Sequence, residues 1–226
     1  MLRRDFLKLL FSIPAITLPV VAKSEKLNNQ YAMVIDAKKC IGCGKCVVAC
    51  KVENKVPPEL PISRTWIEAY ADGKKIVMNT IRNPFLNLTA EKALFVPKLC
   101  NHCSNAPCVN VCPVYARFYT SEGVVLIDKE TCIGCKYCVT ACPYGATFVH
   151  PGEKVTDKCT FCYHRIKKGL KPACVLVCPT GARKFGELKE GSEIYEILKK
   201  SRARVLKPEA GTVPRVFYLN LDVVVE

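Results

Sequence analysis

The sequence predicts an α+β fold assembled from four copies of one small unit: a short strand, a cysteine-bearing loop and a short helix. Three observations predict it. The 226 residues hold 16 cysteines, and these fall into four groups of four. Segments 34–50, "VIDAKKCIGCGKCVVAC", and 126–142, "LIDKETCIGCKYCVTAC", share ten of seventeen positions, so the chain repeats internally. After the second, third and fourth groups come "CPVYARF", "CPYGATF" and "CPTGARKF", each a helix end running into an apolar returning strand.

The groups are Cys40, Cys43, Cys46 and Cys50; Cys100, Cys103, Cys108 and Cys112; Cys132, Cys135, Cys138 and Cys142; and Cys159, Cys162, Cys174 and Cys178. The first and third have the C-x2-C-x2-C-x3-C spacing of bacterial ferredoxins, and three of the four groups end in Cys-Pro. Three close thiolates on a turning loop wrap one corner of a four-iron cube. The fourth follows on a short helix that points away, so it reaches the other cube of a pair. Gly42 and Gly134 let backbone N–H groups approach the sulfides. Zinc favours two C-x2-C knuckles a dozen or more residues apart; the fourth group alone fits that, while the third close cysteine of the first and third groups does not. Disulfides are disfavoured as well, because the spacing crowds the thiols too tightly for ordinary bridge geometry. The expectation is four [4Fe–4S] clusters.

Two half-units make a ferredoxin-like domain, so four make two. Cys112 and Cys132 are twenty residues apart, which pairs the second group with the third and leaves the first for the fourth. One 2×[4Fe–4S] domain is then inserted in the other. A pairing of the third with the fourth stays open, with the first facing the second across fifty residues. The boundaries are a signal over 1–22, a discontinuous first domain over 23–56 plus 152–188, a β-hairpin insert over 57–92, a second domain over 93–151 and a C-terminal extension over 189–226.

The insert carries "RTWIEAYADGKKIVMNTIR" (64–82), with Asp72-Gly73 between β-prone runs, a hairpin signature. Trp66 is expected to pack under it. His102 is read as an outer neighbour of a cluster or an exposed residue; His150 and His164 carry no signal. Because cluster binding does not call for them, the hairpin and the tail 206–221 are the expected docking surfaces. No Ser/His/Asp arrangement, phosphate loop or carboxylate pair stands out, so the chain carries wiring and no substrate chemistry.

At the N-terminus Arg3 and Arg4 precede an apolar run from Leu9 to Ala22 interrupted by Ser12, Pro14, Thr17 and Pro19. That run is too short and too polar to span a bilayer, and it fits the apolar core of an export signal ending at Val20-Val21-Ala22. Arg3-Arg4-Asp5-Phe6-Leu7-Lys8 resembles the twin-arginine motif, with Leu2 where that motif has Ser or Thr. No other stretch reaches span length, so the mature chain is expected not to be a membrane protein itself. The formal charge of +14 would suggest an anionic partner. Four oxidised clusters, each about −2 with its thiolates, bring that to about +6, and loss of the signal to about +4. With no Lys/Arg run interleaved with aromatics, nucleic-acid binding is not expected.

At these residues the chain resembles the four-cluster ferredoxin-like subunits of the dimethyl-sulfoxide-reductase family of molybdopterin oxidoreductases. The resemblance runs through the signal, "QYAMVID" (30–36), "LCNHC" (99–103), "CPYGATF", "DKCTFCYHR" (157–165), "PACVLVC" and "LKPEAGTVPRVFYLNL" (206–221), and the last of these with "CTFCYHR" points to the tetrathionate-type branch. It implies a non-catalytic electron-transfer subunit of an exported anaerobic respiratory reductase. A molybdenum or tungsten pterin subunit would act on the substrate, and a membrane-anchor subunit would bind quinol. It also implies ligand sets. Cys40, Cys43, Cys46 and Cys178 would hold cluster 1, and Cys50, Cys159, Cys162 and Cys174 cluster 2. Cys100, Cys103, Cys108 and Cys142 would hold cluster 3, and Cys112, Cys132, Cys135 and Cys138 cluster 4. Cluster 1 would face the pterin subunit and cluster 4 the membrane. Polysulfide, thiosulfate, arsenate and nitrite-linked relatives share this wiring, and a free soluble polyferredoxin is the alternative outside the family. The expected location is the periplasmic, extracytoplasmic face of the cytoplasmic membrane, reached by a twin-arginine-type route, because that route moves folded cargo with its clusters in place.

Overall fold

A computed structural model describes residues 30–71, 74–76 and 93–222; the expected signal lies outside them. The architecture is α+β. The strands are β1 (Tyr31–Asp36), β2 (Thr65–Ala71), β3 (Lys74–Ile76), β4 (Leu94–Leu99), β5 (Arg117–Tyr119), β6 (Val125–Ile127), β7 (Thr147–Val149), β8 (Thr156–Lys158), β9 (Arg183–Glu187) and β10 (Val216–Leu219). The helices are α1 (Lys45–Glu53), α2 (Pro107–Asn110), α3 (Tyr137–Thr140), α4 (Tyr163–Ile166), α5 (Ala173–Leu176) and α6 (Glu193–Lys200). No helix among the described residues is long and apolar enough to cross a membrane.

The returning strands lie where the sequence expects them, and each pairs antiparallel with the strand that leads into the next cysteine group. Thus β5 pairs β6, β7 pairs β8, and β9 turns back to β1, with Met33 opposite Phe185. The short helices pack in two pairs, α1 on α5 and α2 on α3.

Strand β1 is the middle of a three-stranded sheet, antiparallel to β9 and parallel to β10. Its alternation explains why every residue from Ala32 to Ile35 is buried. Met33 and Ile35 face the main core with Phe95, Phe161 and Tyr218, whereas Ala32 and Val34 face Ile194, Ile197 and Leu198 of α6. Helix α6 is set for this role by its apolar i, i+3, i+4 stripe. It begins at Ser192, whose hydroxyl accepts the Tyr195 N–H at 3.2 Å, and carries Glu193 at its start and Lys199 and Lys200 at its end.

The two strands of the expected hairpin pair, β2 with β3 and Ala71 opposite Lys74, while Asp72-Gly73 and 77–92 lie outside the described residues. Strand β4 pairs on the other side of β2, Thr65 opposite Leu99, so the insert is part of a three-stranded sheet. Trp66 is half-buried within β2 itself, opposite Lys98 of β4, and donates its indole N–H to Glu68 at 3.1 Å. Glu68 is itself buried and also accepts from Tyr70 Oη and Lys98 Nζ, each at 2.7 Å.

Part of the tail is core. It supplies β10, in which Val216 and Tyr218 are fully buried, while 208–211 and Val213 are exposed; the Tyr218 hydroxyl donates to the Pro97 carbonyl at 3.0 Å. Its apolar alternation is the signature of a core strand.

Candidate metal centres

The four C-x2-C knuckles share one backbone feature. In each, the residue before the second cysteine is left-handed: Gly42 at φ 68°, His102 at 44°, Gly134 at 67° and Phe161 at 54°. At two of these residues the N–H itself turns back on the first cysteine: His102 N–H reaches Cys100 Sγ at 3.5 Å and Phe161 N–H reaches Cys159 Sγ at 3.3 Å. Glycine is required at only two of the four. A Cβ at Gly42 would sit 2.6 Å from the Phe95 ring, and one at Gly134 would run into the Lys154 carbonyl oxygen. His102 and Phe161 have room because each ring fills the space next to the other, stacked at a centroid distance of 3.7 Å. His102 is therefore buried, not exposed. Its Nδ1 accepts the Val125 N–H at 3.2 Å, and burial, with Lys158 and Arg215 nearby, holds its pKa well below the ordinary imidazole value.

The cysteines converge across the chain. Cys40, Cys43, Cys46 and Cys178 line one pocket, closed on its other side by Ile67 of β2 and Pro97 of β4, so the hairpin sheet is a wall of this site. A second pocket is lined by Cys100, Cys103, Cys108 and Cys142 with Asn101 and Val125. Cys50 comes together with Cys162 and Cys174: burial first, then these two neighbours, push its thiol up to about 12. Cys159 belongs to the same set, raised by burial and then by Cys50, Cys174 and Cys162. Asn54 Nδ2 touches two of these sulfurs, Cys50 Sγ at 3.4 Å and Cys162 Sγ at 3.9 Å. In the last group, Cys132 and Cys138 both meet Thr156 Oγ1, at 3.8 and 3.5 Å, and Cys112 follows the Val111 cap of α2, the helix that packs on α3 with its Cys138.

The donor set fits iron–sulfur cubes and not a single ion. All sixteen cysteines are free thiols, so no disulfide competes. Among the described residues no three Cys, His, Asp or Glu side chains close on one metal ion; the thiols surround pockets instead. A four-coordinate zinc would draw them together. Burial, then the neighbouring thiols, push Cys40 up to about 12; for Cys103 burial outweighs the Thr212 hydrogen bond with the same result. Such a crowd of sulfurs is stable as thiolate only around a positive metal core. Cys132 goes the other way: burial raises it, but the Thr156 and Gly134 N–H groups and the Thr156 hydroxyl outweigh burial and hold it below the usual thiol value.

Cations that the sequence reading did not single out are buried among the sulfurs. Arg183, the first residue of β9, lines the Cys40 pocket and donates from Nη2 to Thr65 Oγ1 at 2.8 Å. Arg117, the first residue of β5, donates to Thr147 Oγ1 and Thr156 Oγ1, each at 3.3 Å. Lys158 donates from Nζ to the Cys159 and Val125 carbonyls. The available signal was their place in the repeat, since Arg117 and Arg183 each lie five residues after a Cys-Pro cysteine.

A 4Fe-4S dicluster domain model matches residues 91–188, and a 4Fe-4S binding domain model matches 31–52. A tetrathionate reductase subunit from Salmonella typhimurium is 45% identical over 201 residues, covering 86% of this chain and 74% of that protein. The subunit of the same name from Archaeoglobus fulgidus is 46% identical over 194 residues, 86% of this chain and 84% of the other. The thiosulfate reductase electron transfer subunit of Salmonella typhi is 45% identical over 189 residues, 79% and 89%.

Proposed function

Because the chain belongs to the family of iron–sulfur subunits of tetrathionate, thiosulfate and related reductases, we propose that it is the electron-transfer subunit of an exported respiratory reductase. It would carry electrons from a quinol-oxidising membrane subunit to a molybdopterin catalytic subunit that reduces tetrathionate or another sulfur compound. Four [4Fe–4S] clusters would be held by Cys40, Cys43, Cys46 and Cys178; by Cys50, Cys159, Cys162 and Cys174; by Cys100, Cys103, Cys108 and Cys142; and by Cys112, Cys132, Cys135 and Cys138. Each such cluster, when bound, takes up and releases one electron.

One observation carries this reading. Cys178 lies in the same pocket as Cys40, Cys43 and Cys46, although the whole second and third cysteine groups intervene in sequence. Only a helix end that reaches across to a partner unit places it there. The packing of α1 on α5 and of α2 on α3 supports a nested pair of domains, the first from 23–56 and 152–188 and the second from 93–151. The protein's own work is to hold thiolates, to supply N–H groups to sulfur and to shut out water. Cys43 and Cys135 are exposed while the other fourteen thiols are buried or half-buried, which favours clusters 1 and 4 as the two ends at which partners dock. Ile41 and Ile133 beside them, 51% and 65% exposed, offer apolar contact at both ends.

The test is anaerobic iron and sulfide analysis with spectroscopy of the reduced chain, followed by reconstitution. About sixteen irons and four cluster signals are expected. Reduction of tetrathionate should appear only when a catalytic subunit is added. Stoichiometric zinc would overturn the reading, as would reduction by the isolated chain at the rate of the complex.

A further inference from the structure

Arg183 and Arg117 occupy equivalent places in the two halves of the chain. Each opens the strand that returns from a Cys-Pro turn, each is 2% exposed, and each has its guanidinium anchored to threonine hydroxyls. Arg183 lines the pocket of Cys40, Cys43, Cys46 and Cys178, and its strand β9 packs on α5, the helix that carries Cys174 of the next quartet. Arg117 donates to Thr147, which lines the pocket of Cys100, Cys103, Cys108 and Cys142, and to Thr156 beside the fourth quartet. Its second threonine, Thr156, itself touches two sulfurs of the fourth quartet. Both arginines keep an unused donor: Arg183 Nη1 and Arg117 Nε are buried with no hydrogen-bond partner among the described residues. A buried guanidinium with an open N–H is costly unless an anion receives it. The sulfurs of the adjoining quartets are the groups available to do so.

We propose that Arg183 and Arg117 are positioning residues for electron transfer, each a fixed positive charge shared by two neighbouring cluster sites that raises both of their reduction potentials together. The proposal rests on the four-cluster reading above. Adding an electron makes a cluster more negative, so a permanent cation beside it favours the reduced form. A cation placed between two clusters does so for both and weakens the repulsion between two reduced neighbours. Arginine suits the position because its planar fork can bond a threonine and a sulfur at once. In place of such an arginine, the third group's return strand begins with Thr147, whose hydroxyl accepts from Arg117; one arginine thus serves each pair.

The experiment is a potentiometric titration of the full chain with its clusters in place, read by electron paramagnetic resonance, on the wild type and on Arg183→Gln, Arg183→Lys, Arg117→Gln and Arg117→Lys. Fewer than four signals in the wild type would count against the four-cluster reading itself, before any variant is compared. With four present, each Gln variant should lower two potentials and leave two in place, and the two arginines should affect complementary pairs. The expected size is roughly tenfold in each reduction equilibrium, about 59 mV for one electron. The Lys variants keep the charge and should keep all four potentials, even where a Gln variant sheds iron. Unmoved potentials in an iron-replete Gln variant would overturn the proposal. So would a Lys variant that falls as far as the Gln variant, or an arginine whose loss shifts one cluster alone.

Discussion

The ring of His102 lies on the ring of Phe161, 3.7 Å between centroids and 26° from parallel, joining the knuckle of the second cysteine group to that of the fourth. Phe161 also meets Phe185 edge-on at 5.2 Å, and that ring in turn stacks on Tyr31. An aromatic row therefore runs from the start of β1, the middle strand of its sheet, to the junction between two cysteine quartets. Phe161→Ala should cost about 3–5 kcal/mol, because a fully buried ring is lost and the knuckles around it cannot collapse into the space. Thermal unfolding under anaerobic conditions would read it, and a loss below about 1 kcal/mol would show that the stack is dispensable.

His102 also makes a pH prediction. Its folded pKa is depressed, so above about pH 6.5 it is neutral in both folded and unfolded chains and contributes no pH dependence. As pH falls below about 6.5 the unfolded chain takes up a proton that the folded one refuses, and stability falls. His102→Gln should flatten the part of the acid limb that begins near pH 6.5. Identical limbs for wild type and variant would remove His102 as the cause.

Gly134→Ala should damage the fourth site selectively. The new methyl would meet the Lys154 carbonyl and the residue would be held at positive φ, a strain of more than about 1 kcal/mol. The expected readout is about four irons fewer with three cluster signals retained. An unchanged iron content would show that the knuckle tolerates a side chain.

Cys178→Ser should perturb the cluster of Cys40, Cys43 and Cys46. A change confined to the signal assigned to Cys132, Cys135 and Cys138 would move the pairing of the groups.

Replacing Arg3 and Arg4 together by Lys should strand the chain in the cytoplasm with its clusters present, as the sequence motif leads one to expect. Cell fractionation decides it: normal export of the double variant would exclude the twin-arginine route.

The repeat, the returning strands and the hairpin were legible because each is a local pattern of cysteine spacing, alternation or turn chemistry. The left-handed knuckles were legible only in part. Gly42 and Gly134 advertise positive φ, whereas His102 and Phe161 adopt it only because a partner from a distant segment fills the space beside each ring. The place of β10 in the core was hidden for a related reason. A strand such as "VFYL" reads the same whether it faces a partner subunit or β1, and only the parallel register of Met33 with Val216 decides between them. Buried charge was the least visible feature. Arg64 pairs with Asp157 at 2.9 Å inside the protein, and sequence alone does not separate such residues from the many surface cations.

That parallel register also fixes an order of events. Strand β1 is among the first described segments to leave the ribosome, yet both of its sheet neighbours come from the last part of the chain, Phe185 on one side and Val216 on the other. At roughly 5–20 residues per second, β1 waits many seconds, unpaired and apolar, for the strands that cover it. The stretch from Cys100 to Cys142 waits as well. Its strands β5 and β6 pair across a short connection, but the Ser104 and Asn105 N–H groups donate to the Val213 and Thr212 carbonyls, and the Asn101 carbonyl accepts from the Arg215 N–H. One late segment thus closes both halves of the chain, and a nascent polypeptide halted before Thr212 should leave both open.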